Sequence, residues 1–361
     1  MLSPTPYAYI QFEQMKKNIE QMITRLATHG IDHRPHIKTH KSVEIAKLQL
    51  AYGAKGITVA KLSEAEVMAN GGIHDILIAF PIIGTINLQR LQVLHEKINL
   101  RTTVDSIQVA EGLSQVGERI GKPVDVLIEM DGGTHRGGVQ AGEDVLHFAR
   151  SIRHLPGIRV MGVLSYFGQI YGSQNITEIK STAEQEASML LAARSLLEQD
   201  GFSIEVLSGG STASSFFPDQ LKGITESRAG NYIFGDMNAI NLGLMKSEEC
   251  ALRIRSTVVS KPLPGYASID AGSKTLTSDL SIIDSTYGAI VGMPEVKLVK
   301  LNEEHGYLRY DPNDSSLQIG DLLEIIPNHS CVISNMNDTL LTVEAEIFTG
   351  HISIDARGRN Y

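Results

Sequence analysis

The chain has 361 residues, 42% hydrophobic and 20% charged, a balance that excludes a disordered, collagen-like or coiled-coil protein. Its 32 Lys and Arg against 41 Asp and Glu leave a formal charge of −9, which disfavours nucleic acid or an anionic membrane as partner and favours a small molecule. Two cysteines, Cys250 and Cys331, are too few for a disulfide framework. Neither a signal-peptide pattern nor a long apolar run is present, so the expected location is cytoplasmic. The length suits one domain of roughly 240 residues and a smaller companion.

From Phe12, the residues Met15, Ile19, Met22, Ile23 and Leu26 recur at helical spacing, and Gly30 marks the helix end. An alternation follows. A strand over 34–38 leads to a helix near 42–53. A strand over 57–60 leads to a helix with Ser63 and Glu66 as capping box. Strands at 75–80 and 101–104 precede helices near 86–97 and 107–119. Strands at 124–130, 159–166 and 203–207 follow, with helices near 143–153 and 180–199 after the first two. Ile224 and the segment 230–234 supply the last strand. Eight strand-then-helix units in about 210 residues predict an α/β fold, a (β/α)8 TIM-type barrel rather than an open sheet. Beyond residue 246 the helical periods vanish, and segments 252–259, 266–270, 322–326 and 339–344 read as strands between turns. The expected organisation is therefore a barrel over 12–245 and a mostly-β domain over 246–361, completed by residues 1–11.

In such a barrel the chemistry gathers where strands end. The first strand ends in RPHIKTHK, and period two places His36 and Lys38 on one side. A lysine held there would be desolvated and able to form a Schiff base; the alternative is a solvated basic loop. Arg136 and Tyr166, at neighbouring strand ends, can flank a flat anionic ligand. Gly/Ser clusters around Ser211 and Thr212, and around Gly230 and Asn231, follow the seventh and eighth strands, where barrels commonly bind phosphate. A strand-end lysine with a phosphate site suggests pyridoxal phosphate. In the β domain, His329 and Cys331 face the same way if extended, and imidazole with thiolate suits Zn²⁺; a packed cysteine beside an exposed histidine is the plainer alternative. No HExxH, CxxC, GxSxG, Walker or GxGxxG motif occurs.

These residues carry a resemblance. RPHIKTHK at 34–41, EMDGGTHRGGV at 129–139, SGGSTAS at 208–214, RAGNYIFGD at 228–236, SIDAGSK at 268–274, EEHG at 303–306 and PNHSC at 327–331 occur in order along nearly the whole chain. The sequence thereby resembles the D-threonine aldolase and D-serine dehydratase family, within the alanine-racemase-like (fold type III) pyridoxal-phosphate enzymes. The resemblance implies a β/α barrel followed by a β domain, a homodimer, and a divalent metal, zinc or manganese, beside the cofactor. It implies Lys38 as the Schiff-base lysine and Arg136 and Tyr166 as cofactor neighbours. Ser211, Thr212, Gly230 and Asn231 correspond to the phosphate turns, and His329 and Cys331 to the metal pair. Arg228 would face the pyridine nitrogen. His-x-Cys is similar to the zinc-dependent D-serine dehydratases, where family aldolases tend to carry His-x-Asp. Val332-Ile333-Ser334 departs from the family, in which a proline is common there. The expected activity is dehydration of a D-β-hydroxy amino acid such as D-serine to pyruvate and ammonia. Retro-aldol cleavage is the first alternative, racemisation the second, and a non-enzymatic cofactor carrier the third.

Overall fold

A computed structural model describes residues 4–281, 283–313, 316–345 and 347–361. Strand β1 (Tyr7–Gln11) opens the chain, followed by α1 (Phe12–Ala27). Met15, Ile19, Met22 and Leu26 are all buried on α1, as their helical spacing requires. The alternation then runs β2 (Asp32–His33), α2 (Val43–Ala51), β3 (Ile57–Val59), α3 (Leu62–Asn70), β4 (Asp75–Pro81), α4 (Thr85–His95), β5 (Asn99–Val104) and α5 (Ile107–Ile120). It continues with β6 (Val124–Met130), α6 (Glu143–Ile152), β7 (Ile158–Ser165), α7 (Ile176–Gln199), β8 (Val206–Gly209), α8 (Thr212–Ser215) and β9 (Glu226–Ser227).

Strands β2 to β9 form one parallel sheet in the order β2-β9-β8-β7-β6-β5-β4-β3, and a parallel bridge between His36 and Thr58 joins its two ends. This is the eight-stranded barrel expected from the alternation. Leu77, Leu127 and Val206, from the alternate strands β4, β6 and β8, pack together with Met161 and Leu164. Close packing fixes Gly162 in β7, where a Cβ would lie 1.8 Å from the Val206 carbonyl oxygen.

Three local expectations are corrected. The N-terminus of α3 is closed by Glu64 rather than by Ser63 and Glu66: the Glu64 carboxylate accepts from the N–H groups of Ala60 and Lys61, at 2.7 and 3.1 Å. Glu66 instead pairs with Arg90, at 2.8 Å. The first strand is only two residues long, and Ile37–Thr39 coil into a single 3₁₀ turn. Likewise Asn231–Ile233 form a 3₁₀ turn, with the Phe234 and Gly235 N–H groups bonded back to the Asn231 carbonyl, so the last strand ends before Gly230.

After α9 (Met237–Asn241) come β10 (Leu252–Leu263), β11 (Tyr266–Ile269), α10 (Ser273–Leu276), β12 (Ala289–Ile290), β13 (Lys297–Leu301), β14 (Gly306–Arg309), β15 (Leu322–Ile326), α11 (Ser330–Met336), β16 (Thr339–Glu344) and β17 (Ile347–Ser353). Their nine-stranded sheet has the order β11-β14-β13-β12-β15-β10-β1-β16-β17, and an added β10–β11 pairing closes six of the strands into a ring. β1 lies between β10, antiparallel, and β16, parallel. Two compact units result. One comprises Glu20–Lys38, Val43–Gly230 and Arg359–Tyr361; the other holds the chain up to Ile19, Thr39–Ser42 and Asn231–Gly358. Among the described residues no helix is long and apolar enough to cross a membrane.

Candidate active site

In the barrel unit, β2 gives way at Pro35, His36 bridges to Thr58, and Ile37 turns inward and is fully buried. The next position in the turn faces outward, and Lys38 is exposed. His36 is half-buried and Lys38 exposed on a 3₁₀ turn, so the shared strand face expected from period two is not formed. Lys38 sits at the strand end but on the rim.

The loops after β6 and β7 bring Arg136 and Tyr166 together, the guanidinium lying 5.2 Å from the ring centroid. Asp131 organises the first loop. Its carboxylate accepts from the N–H groups of Gly133 and His135, at 2.9 and 3.0 Å, and contacts His135 Nδ1 at 2.6 Å. Those hydrogen bonds hold it well below the usual carboxylate range.

The loops after β8 and β9 hold the Gly/Ser clusters. Gly210 has φ +75°, and a Cβ there would come within 2.7 Å of Ser227 Oγ, so only glycine fits this turn. Ser211 and Thr212 beyond it are buried; Ser211 N–H donates to Ser214 Oγ, at 2.8 Å. Arg228 is buried and donates to Ser208 Oγ at 2.7 Å and to the Ser165 carbonyl at 2.6 Å. Ser208 in turn donates to Glu226, whose other oxygen accepts from Arg34 at 2.8 Å. Burial alone would raise the Glu226 carboxyl, but Arg34 and Arg101 outweigh it and hold it below its usual value. A backbone cradle that excludes side chains, with a fixed guanidinium in the same unit, suits a phosphorylated aromatic cofactor.

Sequence reasoning missed Glu186. On α7 it follows Ile179 and Ala183 and precedes Leu190 at core-facing spacing, and all four are buried. Its carboxylate accepts from the N–H of Gly210, at 3.1 Å, and from that of Phe167, so it ties together the loops after β7 and β8. Burial raises it to about 7 against the pull of Arg228. A carboxyl raised in the folded state contributes stability that is present at low pH and lost as pH rises through about 7. Glu186→Gln should remove that slope. Between pH 4.5 and 8, denaturant titrations should show the variant gaining about 3 kcal/mol relative to wild type; parallel stability curves would refute the assignment.

The second unit carries the His329/Cys331 pair. They are not in an extended segment: His329 is the N-cap of α11 and Cys331 is the second residue of that helix. The geometry still joins them. A hydrogen bond between ring and thiol, with Asp236 and Asp279 nearby, raises the imidazole to about 9 against the effect of burial. Thr39 Oγ1 lies 3.2 Å from the Cys331 sulfur, and Thr39 directly follows Lys38 in the chain. The turn is locked by Asp236, which accepts from Ser330 N–H at 3.0 Å and from Asn231 Nδ2 at 2.7 Å. Asn231, expected at a phosphate turn, thus commits its side chain to Asp236 and Ser330. Among the described residues no group of three or more His, Cys, Asp or Glu is arranged to hold a metal, so an ion on this pair needs water or substrate to complete its shell. An imidazole and a thiol in contact are nonetheless a donor pair suited to zinc.

A family model described as alanine racemase, N-terminal domain, matches residues 10–238, and one described as a putative serine dehydratase domain matches residues 251–343. The chain belongs to the alanine racemase N-terminal-domain family. Within this racemase-like family it is 34% identical to a D-threo-3-hydroxyaspartate dehydratase of Delftia sp. (strain HT23), over 91% of this chain and 90% of that one. It is 32% identical to a D-threonine aldolase of Arthrobacter sp, over 98% and 93%. The crystal structure of a D-threonine aldolase from Filomicrobium marinum superposes with a TM-score of 0.90 at 27% identity, covering 99% of this chain and 96% of that one. These racemase-like relatives are pyridoxal-phosphate-dependent lyases of D-β-hydroxy amino acids, the activity class that the sequence motifs implied.

Proposed function

We propose that this chain is a pyridoxal-phosphate- and zinc-dependent dehydratase of a small D-β-hydroxy amino acid, D-serine being the reference substrate. The observation that carries the reading is the placement of His329 and Cys331 together at the start of α11, because a sulfur donor with an imidazole favours zinc. Supporting it, a D-threo-3-hydroxyaspartate dehydratase has been solved as a cysteine-to-alanine mutant in the metal-free form, at TM-score 0.90 and 31% identity.

Lys38 would hold the cofactor, Arg136 and Tyr166 would bracket it, and the turns at Ser211, Thr212, Gly230 and Asn231 would take its phosphate. Arg228, a permanent cation, would face the pyridine nitrogen and keep it unprotonated. Bound pyridoxal phosphate supplies an electron sink for the Cα of the amino acid. A divalent ion on His329 and Cys331, zinc or alternatively manganese, supplies Lewis acidity for a β-hydroxyl leaving group. The Lys38 amine would be the group that takes the Cα proton. The products are a 2-oxo acid and ammonia. We also read the protein as a cytoplasmic homodimer; its two free cysteines suit a reducing compartment.

The aldolase reading is favoured by the D-threonine aldolase relative at 32% identity. It uses the same residues but breaks Cα–Cβ, giving glycine and an aldehyde. Incubation with D-serine and with D-threonine separates the two. Pyruvate and 2-oxobutanoate with ammonia are expected; glycine and acetaldehyde from D-threonine, with no 2-oxo acid from either, would replace dehydration by aldol cleavage.

A further inference from the structure

We propose that Asp279 is the positioning carboxylate of the metal pair, orienting the His329 ring and setting the affinity for a divalent ion. This rests on the metal-dependent reading above and adds a residue that lies 50 positions from the histidine. Asp279 Oδ2 is 3.2 Å from His329 Nδ1. With Nδ1 facing a carboxylate, a neutral ring holds its proton there and keeps its lone pair on Nε2, the tautomer a metal requires.

The placement of Asp279 is fixed from several sides. Asn328, the residue immediately before His329, donates from Nδ2 to the carbonyl oxygens of Asp279 and Thr286, at 2.8 and 2.7 Å. One side chain thus pins Asp279 and Thr286 to the turn that bears the histidine. The Asp279 N–H donates to Thr277 Oγ1 at 3.1 Å, and Thr277 is buried with φ +70°, a conformation costly for a β-branched residue. Such strain persists only where surrounding contacts over-determine it. Asp236, the other carboxylate near the ring, is already committed: Oδ2 accepts from Ser330 and Asn231, and Oδ1 from the Ala239 N–H. Among the described residues Asp279 is therefore the carboxylate free to orient His329.

Outer carboxylates of this type typically change metal affinity 10–100-fold. The test titrates metal-stripped enzyme, cofactor retained, with Zn²⁺ by calorimetry, comparing wild type, Asp279→Ala, Asp279→Asn and His329→Ala. Asp279→Ala should weaken binding about 10–100-fold. Asp279→Asn, which keeps an acceptor oxygen for Nδ1–H, should weaken it less, and the cofactor absorbance should stay at the wild-type level in both, which reports an intact fold. Affinity within twofold of wild type in Asp279→Ala, with His329→Ala defective, would overturn the proposal. So would a loss in Asp279→Ala as complete as in His329→Ala, which would make Asp279 a ligand, or equal losses in Asp279→Asn and Asp279→Ala, which would reduce it to a bystander charge. Absence of zinc binding by wild type would instead remove the metal reading itself.

Discussion

Lys38→Ala is expected to abolish the visible absorbance of lysine-bound cofactor and to lower turnover by at least about 10³-fold, within the range a positioned proton-transfer group supplies. The structure makes this a chemical test. Lys38 is exposed in a 3₁₀ turn held by the buried Ile37 and the His36–Thr58 bridge, so truncating its side chain removes no core contact. Stability should move by less than about 0.5 kcal/mol, as for surface substitutions generally. Absorbance spectra with thermal melts provide the measurement. An unchanged band in the variant would take Lys38 out of its role and send the search to other strand-end amines. Period two placed Lys38 with His36 on one side of a strand; the structure instead sets it on an exposed position of a 3₁₀ turn.

How much was legible depended on which physical signal each residue carried. Long elements with one buried stripe were plain: β6 and α6 lie where apolar periodicity placed them, because burial of their faces dominates local propensity. Short strands were not. β12 and β14 have two and four residues, and β13 (KLVKL) fully buries only Leu298, so no period can be read from them. They exist because the sheet supplies partners from distant sequence. Motifs singled out His329 and Cys331, and the structure sets both at the start of one helix, yet the argument from an extended i, i+2 pair does not hold, since α11 begins between them. Glu186 was overlooked because a glutamate on a helix ordinarily faces water, although its spacing with Ile179, Ala183 and Leu190 carried the signal. Asp279 had no local signal at all. Its approach to His329 is visible only in the fold, where Asn328 ties the Asp279 carbonyl to the histidine turn.

Removal of the metal pair is the second experiment with a large expected effect. His329→Ala, or incubation with a strong chelator, should cost several kcal/mol of transition-state stabilisation, on the order of 10³-fold in rate, because the β-hydroxyl then leaves without a Lewis acid. Cofactor binding should persist, since the His329 turn is built by Asp236, Asn231 and Ser330 and does not depend on the imidazole. Restoration of the chelated enzyme by zinc, but not the variant, would separate loss of the ion from damage to the fold. The thiol adds a sharper distinction. Cys331→Asp replaces a soft donor with a hard one and creates the His-x-Asp spacing that the sequence analysis associated with aldolases. Dehydration should fall in that variant and zinc preference should weaken towards harder ions. A chelator-insensitive rate in the wild-type enzyme would show that the pair is merely a hydrogen-bonded cap on α11 and that the leaving group is protonated by a side chain instead.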